Sequence, residues 1–109
     1  MSGAFHTDFM KPAREHLEKA LAEAKFYPAK IPIYSNVDGK QHTKPEEIRD
    51  LLSKQLTQPV LWEDSMNAIL DASYGKIYEI GPGTVLIGLM RHIQKKRTGT
   101  PAETINITV

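Results

Sequence analysis

The sequence predicts an α/β fold, a partial three-layer α/β/α arrangement around a parallel sheet. Segments with helical spacing of apolar residues alternate with short β-type runs, the pattern that covers both faces of a parallel sheet with helices. The clearest strand, Lys76–Ile80, runs through a Gly-Pro-Gly turn straight into a helical segment. Only two or three strands are present, too few for such a layer. The 109 residues therefore read as a portion of a larger α/β sheet, or as a chain that assembles with another.

The first helix is expected from about Asp8 to Lys25, where Met10, Ala13, Leu17, Ala20, Leu21 and Ala24 share a face. Pro12 confines its start to Asp8–Lys11, and Glu15–Lys19 is a favourable pair four residues apart. Ile31–Ser35 reads as a short strand, with Pro32 near its beginning, followed by an Asp38-Gly39 turn signal. Thr43-Lys44-Pro45-Glu46 matches a capping box that opens the second helix. Ile48, Leu51, Leu52 and Gln55 then recur at i, i+3, i+4 and i+7. Pro59 ends that helix and is expected to open a third, with Trp62, Met66, Ile69 and Leu70 as its apolar stripe. Ser73-Tyr74-Gly75 stops it. After the Gly81-Pro82-Gly83 turn, a fourth helix runs from Thr84 to about Lys95, with Val85, Leu86, Leu89, Met90 and Ile93 on its buried side. Gly88 costs about 1 kcal/mol there against Ala, so close packing on a neighbour is expected. Residues 98–103 have linker composition, and the alternation of Ile105, Ile107 and Val109 suits an edge strand.

Composition excludes several classes. The chain contains no Cys, so disulfides and thiolate metal sites are ruled out. No apolar run approaches the ~20 residues of a membrane span, and no segment reads as a signal peptide. The formal charge of +1 is too balanced to argue for nucleic acid. Lys95-Lys96-Arg97 reads as a solvated helix end, where cations suit the dipole. His16 and His42 read as exposed, on a helix flank and in a loop, and His92 as a dipole partner near a helix C-terminus. No two histidines have the i,i+4 metal spacing. Asn106-Ile107-Thr108 matches the glycosylation sequon by coincidence. Gly81-Pro82-Gly83 lacks the third glycine of a dinucleotide loop, because Leu86 stands there, and reads as a structural turn.

His6 is the candidate of most chemical interest. It sits on the loop into the first helix, and an imidazole serves as general base and then general acid near neutral pH. Such a ring needs a partner at its other nitrogen. The last carbonyls of a helix lack intrahelical partners, so the carbonyl at Gln55 is a candidate acceptor from His6 without any carboxylate. The plainer readings are a capping or packing histidine and an amphipathic glutamine at the core rim. None of Ser2, Ser35, Ser53, Ser65 and Ser73 lies in a G-x-S-x-G elbow. The residues thus present an acid–base group with no nucleophile for it to activate.

Four stretches, "SGAFHTDFMKPAREHL", "IPIYSNVDG", "LLSKQLTQPVLWEDSM" and "YEIGPGTVLIGLMRHI", follow the order and spacing of one family. Together they resemble the C-terminal third of malonyl-CoA:acyl-carrier-protein transacylases, to which the acyltransferase domains of fatty-acid and polyketide synthases are related. The resemblance covers roughly residues 2–94. It implies that residues 1–97 are the C-terminal segment of the acyltransferase (hydrolase-like) large subdomain, with 98–109 a linker and edge strand. It implies a ping-pong transfer of malonyl from coenzyme A, through a GHSxG serine, to the phosphopantetheine thiol of acyl carrier protein. His6 matches the family histidine, with Thr7 in place of the usual serine. Gln55 matches the glutamine whose main-chain carbonyl orients that histidine, and Phe5 the aromatic that narrows the acyl pocket. Asn36 and the Gly81-Pro82-Gly83 turn match structural or site-lining positions. Malonyl-CoA is implied as substrate, with no bound cofactor.

The GHSxG serine, the arginine for the malonyl carboxylate, the oxyanion-hole segment and the ferredoxin-like small subdomain belong to earlier parts of the family sequence. The expectation is therefore a histidine-bearing segment that is not competent alone and works with a serine-bearing N-terminal portion and acyl carrier protein. The alternative is a non-catalytic scaffold or adaptor that docks acyl carrier protein. The resemblance implies cytoplasm, or the mitochondrial or plastid matrix.

Overall fold

The structure is a computed structural model that describes residues 7–108. A 3-10 turn, Asp8–Met10, leads into α1 (Lys11–Glu23). Then follow β1 (Ile33–Tyr34), β2 (Gln41–His42), α2 (Pro45–Gln55), α3 (Trp62–Asp71), β3 (Lys76–Ile80), α4 (Val85–Lys95) and β4 (Glu103–Ile107). The chain divides into two compact units between Ser65 and Met66. The α/β class with a parallel sheet is observed: β3 and β4 pair in parallel, Lys76 with Glu103 through Ile80 with Ile107.

In the first unit, Pro12 falls in the opening turn of α1, as its missing N–H requires. Arg14 joins α1 to α2. Its Nε donates to Glu18 Oε1 at 2.9 Å, and its Nη1 donates to Thr57 Oγ1 at 3.1 Å. Ser53 Oγ donates to the same Glu18 oxygen at 2.8 Å. Ser53 and Thr57 are buried, so this junction is built from satisfied polar groups. The Ser53 hydroxyl first, and the Arg14 guanidinium second, lower the pKa of Glu18. Arg49 Nη2 donates to the Ala24 carbonyl at the end of α1, with its guanidinium 4.8 Å from the centre of the Phe26 ring.

Several local expectations are corrected here. The strand at Ile31–Ser35 contracts to Ile33–Tyr34 and pairs antiparallel with Gln41–His42. Pro32 has no N–H to give, and the Asp38-Gly39 turn folds the chain directly back. The capping box at Thr43 does not form. Lys44 is the residue that precedes the helix, without a side-chain cap, so Thr43 sits one position too early. Helix α3 begins at Trp62, not at Pro59, and the Leu61 N–H just ahead of it is taken by the Asn36 carbonyl at 2.8 Å.

The second unit has a small apolar core of Met66, Ile87, Met90 and Ile93. Val85, Leu86 and Leu89, expected on the buried side of α4, are exposed instead. The apolar surface of α4 is wider than the stripe its neighbours cover. Gly88 likewise lacks the expected close neighbour: among the described residues, nothing beyond its own helix comes within 4 Å of where a Cβ would stand. Ser73 adopts a left-handed backbone, φ 63°, where α3 ends.

The strand–turn–helix unit is held by two side chains. The Glu79 carboxylate accepts the backbone N–H groups of Leu86 and Ile87, both at 3.1 Å, and so caps α4 from β3. A carboxylate there satisfies otherwise orphaned donors and suits the positive end of the helix dipole. It also fills the position a phosphate would take, consistent with a structural Gly81-Pro82-Gly83 turn. Asn106 Nδ2, on β4, lies within hydrogen-bonding distance of the carbonyls of Glu79 (3.1 Å), Gly81 (3.1 Å) and Gly83 (2.8 Å). Gly81 and Gly83 both have positive φ, and Asn106 holds that turn closed. Replacing Asn106 with Ala strands these carbonyls and is expected to cost about 1–2 kcal/mol. Asn106→Asp, which has no donor, should cost at least as much. Urea denaturation of the three proteins measures both, and an unchanged midpoint would refute the clamp.

Candidate functional site

Gln55 lies at the last residue of α2. It helps line a cavity of about 350 Å³ with Ile33, Asn36, His42, Leu51 and Val60 among the other walls. One wall is the β1–β2 hairpin and its turn, the other the face of α2 carrying Ile48, Leu51 and Leu52. The stripe predicted for α2 therefore exists, but it faces this cavity and leaves Leu52 partly exposed. His6 and Phe5, the other two site residues expected from the sequence, lie outside the described residues.

The hairpin wall is tightly determined. Gly39 N donates to Ser35 O at 2.9 Å, and Ser35 N to Lys40 O at 3.1 Å. Asp38 Oδ1 accepts the Lys40 N–H at 2.9 Å. Ser65 Oγ donates to the Leu61 carbonyl at 2.9 Å and reaches the Ser35 carbonyl at 3.3 Å. Gly39 has φ +67°, and a Cβ there would stand 2.9 Å from Asp64 Cβ.

His42 corrects its reading as an exposed loop residue. It lies on β2 with 14% of its side chain exposed, between two carboxylates. Nε2 is 2.8 Å from Asp38 Oδ2, and Nδ1 is 3.0 Å from Glu47 Oε2. The Glu47 hydrogen bond is the largest influence and raises the ring's pKa above its ordinary value; burial opposes it, and Asp38 adds to the rise. Sequence reading missed this group because its three members are spread over turn, strand and helix. The available signal was a histidine four residues beyond the turn aspartate and five before an acidic first turn. The two carboxylates face opposite ring nitrogens, and no group of three or more such side chains among the described residues is arranged to hold a metal ion.

The remaining candidates are placed more simply. His16 is exposed on α1, and His92 stands in the last turn of α4, where a cation suits the dipole. The basic run is not wholly solvated. Arg97 donates to Asn67 Oδ1 at 2.9 Å and pairs with Asp71. No helix among the described residues is long and apolar enough to cross a membrane.

No protein-family model matches the chain. Individual proteins do. The malonyl CoA-acyl carrier protein transacylase of Bacillus subtilis is 36% identical over 96 residues, 88% of this chain and 30% of that protein. Among solved structures, an acyl carrier protein S-malonyltransferase from Vibrio cholerae superposes with a TM-score of 0.89 at 36% identity. It covers 99% of this chain, which is 34% of that one. A malonyl-transacylase solved in complex with its type II polyketide acyl-carrier protein superposes with a TM-score of 0.84 at 33% identity, over 100% of this chain and 33% of that one. The chain is thus an α/β protein whose fold matches part of the fold of malonyltransferase structures. It is similar to the malonyl-CoA:acyl-carrier-protein transacylases over about a third of their length, which fits a C-terminal segment of that fold. It spans about a third of the length of the curated relatives it matches.

The hairpin wall gives a direct check. Gly39→Ala is expected to destabilise the protein by about 1–3 kcal/mol, from backbone strain and the clash with Asp64 together. Thermal unfolding followed by circular dichroism measures it; a wild-type midpoint would show that the turn relaxes freely.

Proposed function

We propose that this chain supplies the histidine half of a malonyl-transferring acyltransferase. A serine-bearing portion of the same fold would supply the nucleophile. His6 takes the proton from that serine as general base and returns it to the leaving thiol as general acid. The main-chain carbonyl of Gln55 accepts the hydrogen bond from the other ring nitrogen and holds the tautomer. Phe5 narrows the acyl pocket. Malonyl passes from the thioester of coenzyme A to the serine oxygen, and then to the phosphopantetheine thiol of acyl carrier protein.

The observation that carries this reading is apolar surface. Ile80 is 71% exposed, Val85 75% and Tyr78 50%, with Leu86, Leu89 and Ile107 also open. On β3, Tyr78 and Ile80 point away from the face through which Glu79 caps α4. In the parallel register their partners are Ile105 and Ile107. Parallel sheets occur almost only with both faces covered. A chain matched to one third of a known fold supports the view that the other two thirds provide the cover.

Mixing the chain with a serine-bearing N-terminal acyltransferase portion should restore transfer of labelled malonyl to holo acyl carrier protein. His6→Ala should lower that rate at least ~10³-fold. Gln55→Ala, which keeps the main-chain carbonyl, should retain most of it. Full activity with His6→Ala would overturn the assignment. Binding of acyl carrier protein without transfer would favour an adaptor.

A further inference from the structure

The proposed chemistry leaves a partly buried titratable group, His42, unused. A neutral imidazole carries one N–H and can donate to only one neighbour. Here both ring nitrogens face carboxylate oxygens, at 2.8 and 3.0 Å. With the ring neutral, one of those contacts would set a lone pair against an anion. Only the imidazolium satisfies both.

The three groups belong to three elements. Asp38 is in the hairpin turn, where its other oxygen already accepts the Lys40 N–H. His42 is on β2, opposite Ile33 of β1. Glu47 is in the first turn of α2. The hairpin and α2 are the two walls of the cavity, and His42 is itself part of its lining. The cation therefore ties one wall to the other.

We propose that His42 is a positioning residue, an imidazolium clamp that fixes the β1–β2 hairpin against α2 and so sets the shape of the cavity lined by Gln55. The effect on catalysis rests on the acyltransferase reading; the clamp itself does not. The charged groups acting on the ring are Asp38 from the turn and Glu47 from α2, while β1 contributes the uncharged Ile33 opposite. Loss of the proton does more than remove an attraction. It leaves two carboxylates facing one ring with no cation between them. The folded-state pKa lies above the unfolded one, so the stability the clamp contributes is fully present below about pH 6.5. It is lost as the pH rises through the folded value.

Proton NMR of the four histidine rings in the 109-residue chain reads the clamp directly, with His42→Gln used to assign the signal. The His42 resonance should titrate above the ordinary histidine value. Glu47→Gln and Asp38→Asn, milder changes that leave the ring in place, should each lower its midpoint. Amide exchange at Ser35, Gly39 and Lys40, corrected for intrinsic base catalysis, should accelerate as the pH passes that midpoint in the wild type and not in His42→Gln. A midpoint at or below the ordinary value, or equal protection on both sides of it, would overturn the clamp. In the reconstituted transfer assay, the ratio of wild-type to His42→Gln rate cancels the titration of His6. That ratio should exceed one at low pH and fall towards one as the pH rises; a ratio of one throughout would overturn the positioning role. Failure of both proteins to transfer malonyl would count against the acyltransferase reading alone, with the ring titration and exchange still deciding the clamp.

Discussion

Incomplete burial is the constraint on which the rest of this structure depends. Only Met66, Ile87, Met90 and Ile93 are buried apolar residues among those described. Larger apolar side chains on β3, β4 and α4 remain open to solvent. Small chains bury a lower fraction of their surface than large ones, and this one carries the sheet and helix patterning of a larger fold. Such exposure fits a chain that matches about a third of the fold of its structural relatives. Their exposure on three elements of one unit distinguishes them from the scattered surface apolar residues of ordinary proteins.

With little core available, order is maintained by polar clamps at element ends. Glu79 caps α4, Asn106 holds the turn that precedes it, and Arg14 with Glu18, Ser53 and Thr57 joins α1 to α2. Arg14 and Asn106 reach residues 43 and 23 positions away and Glu79 reaches seven or eight, and each supplies partners to groups that would otherwise be left unsatisfied. Hydrogen bonds to charged groups are the stronger kind, about 1.5–3 kcal/mol each in favourable settings. The solvent exposure of several partners reduces that figure here.

Helix α2 connects the clamps to the candidate chemistry. Its first turn carries Glu47, which grips His42, and its final residue is Gln55. A rigid helix of eleven residues thus joins the hairpin anchor to the residue assigned to orient the base. Under the proposed function, a histidine oriented by a main-chain carbonyl depends on where that helix ends. The orienting group has no side chain to mutate, and its position follows from the packing of α2.

The sequence by itself determined the helices, the Lys76–Ile80 strand, the α/β class and the matched motifs. These follow from local periodicity, proline placement and turn residues, which act over a few positions and are written in order along the chain. Gln55 was legible as a site candidate because helical phase alone puts it at the end of α2. The antiparallel partner of Ile33–Tyr34, the start of α3 at Trp62, the open face of α4 and the carboxylates around His42 were decided by tertiary structure. In each case the deciding group lies on another element. The Asn36 carbonyl takes the Leu61 N–H, and Glu47 reaches His42 from α2, while Val85, Leu86 and Leu89 on α4 are left open by the described residues. Hydrogen bonds and burial between distant residues leave no periodic trace, so only the folded arrangement reveals them.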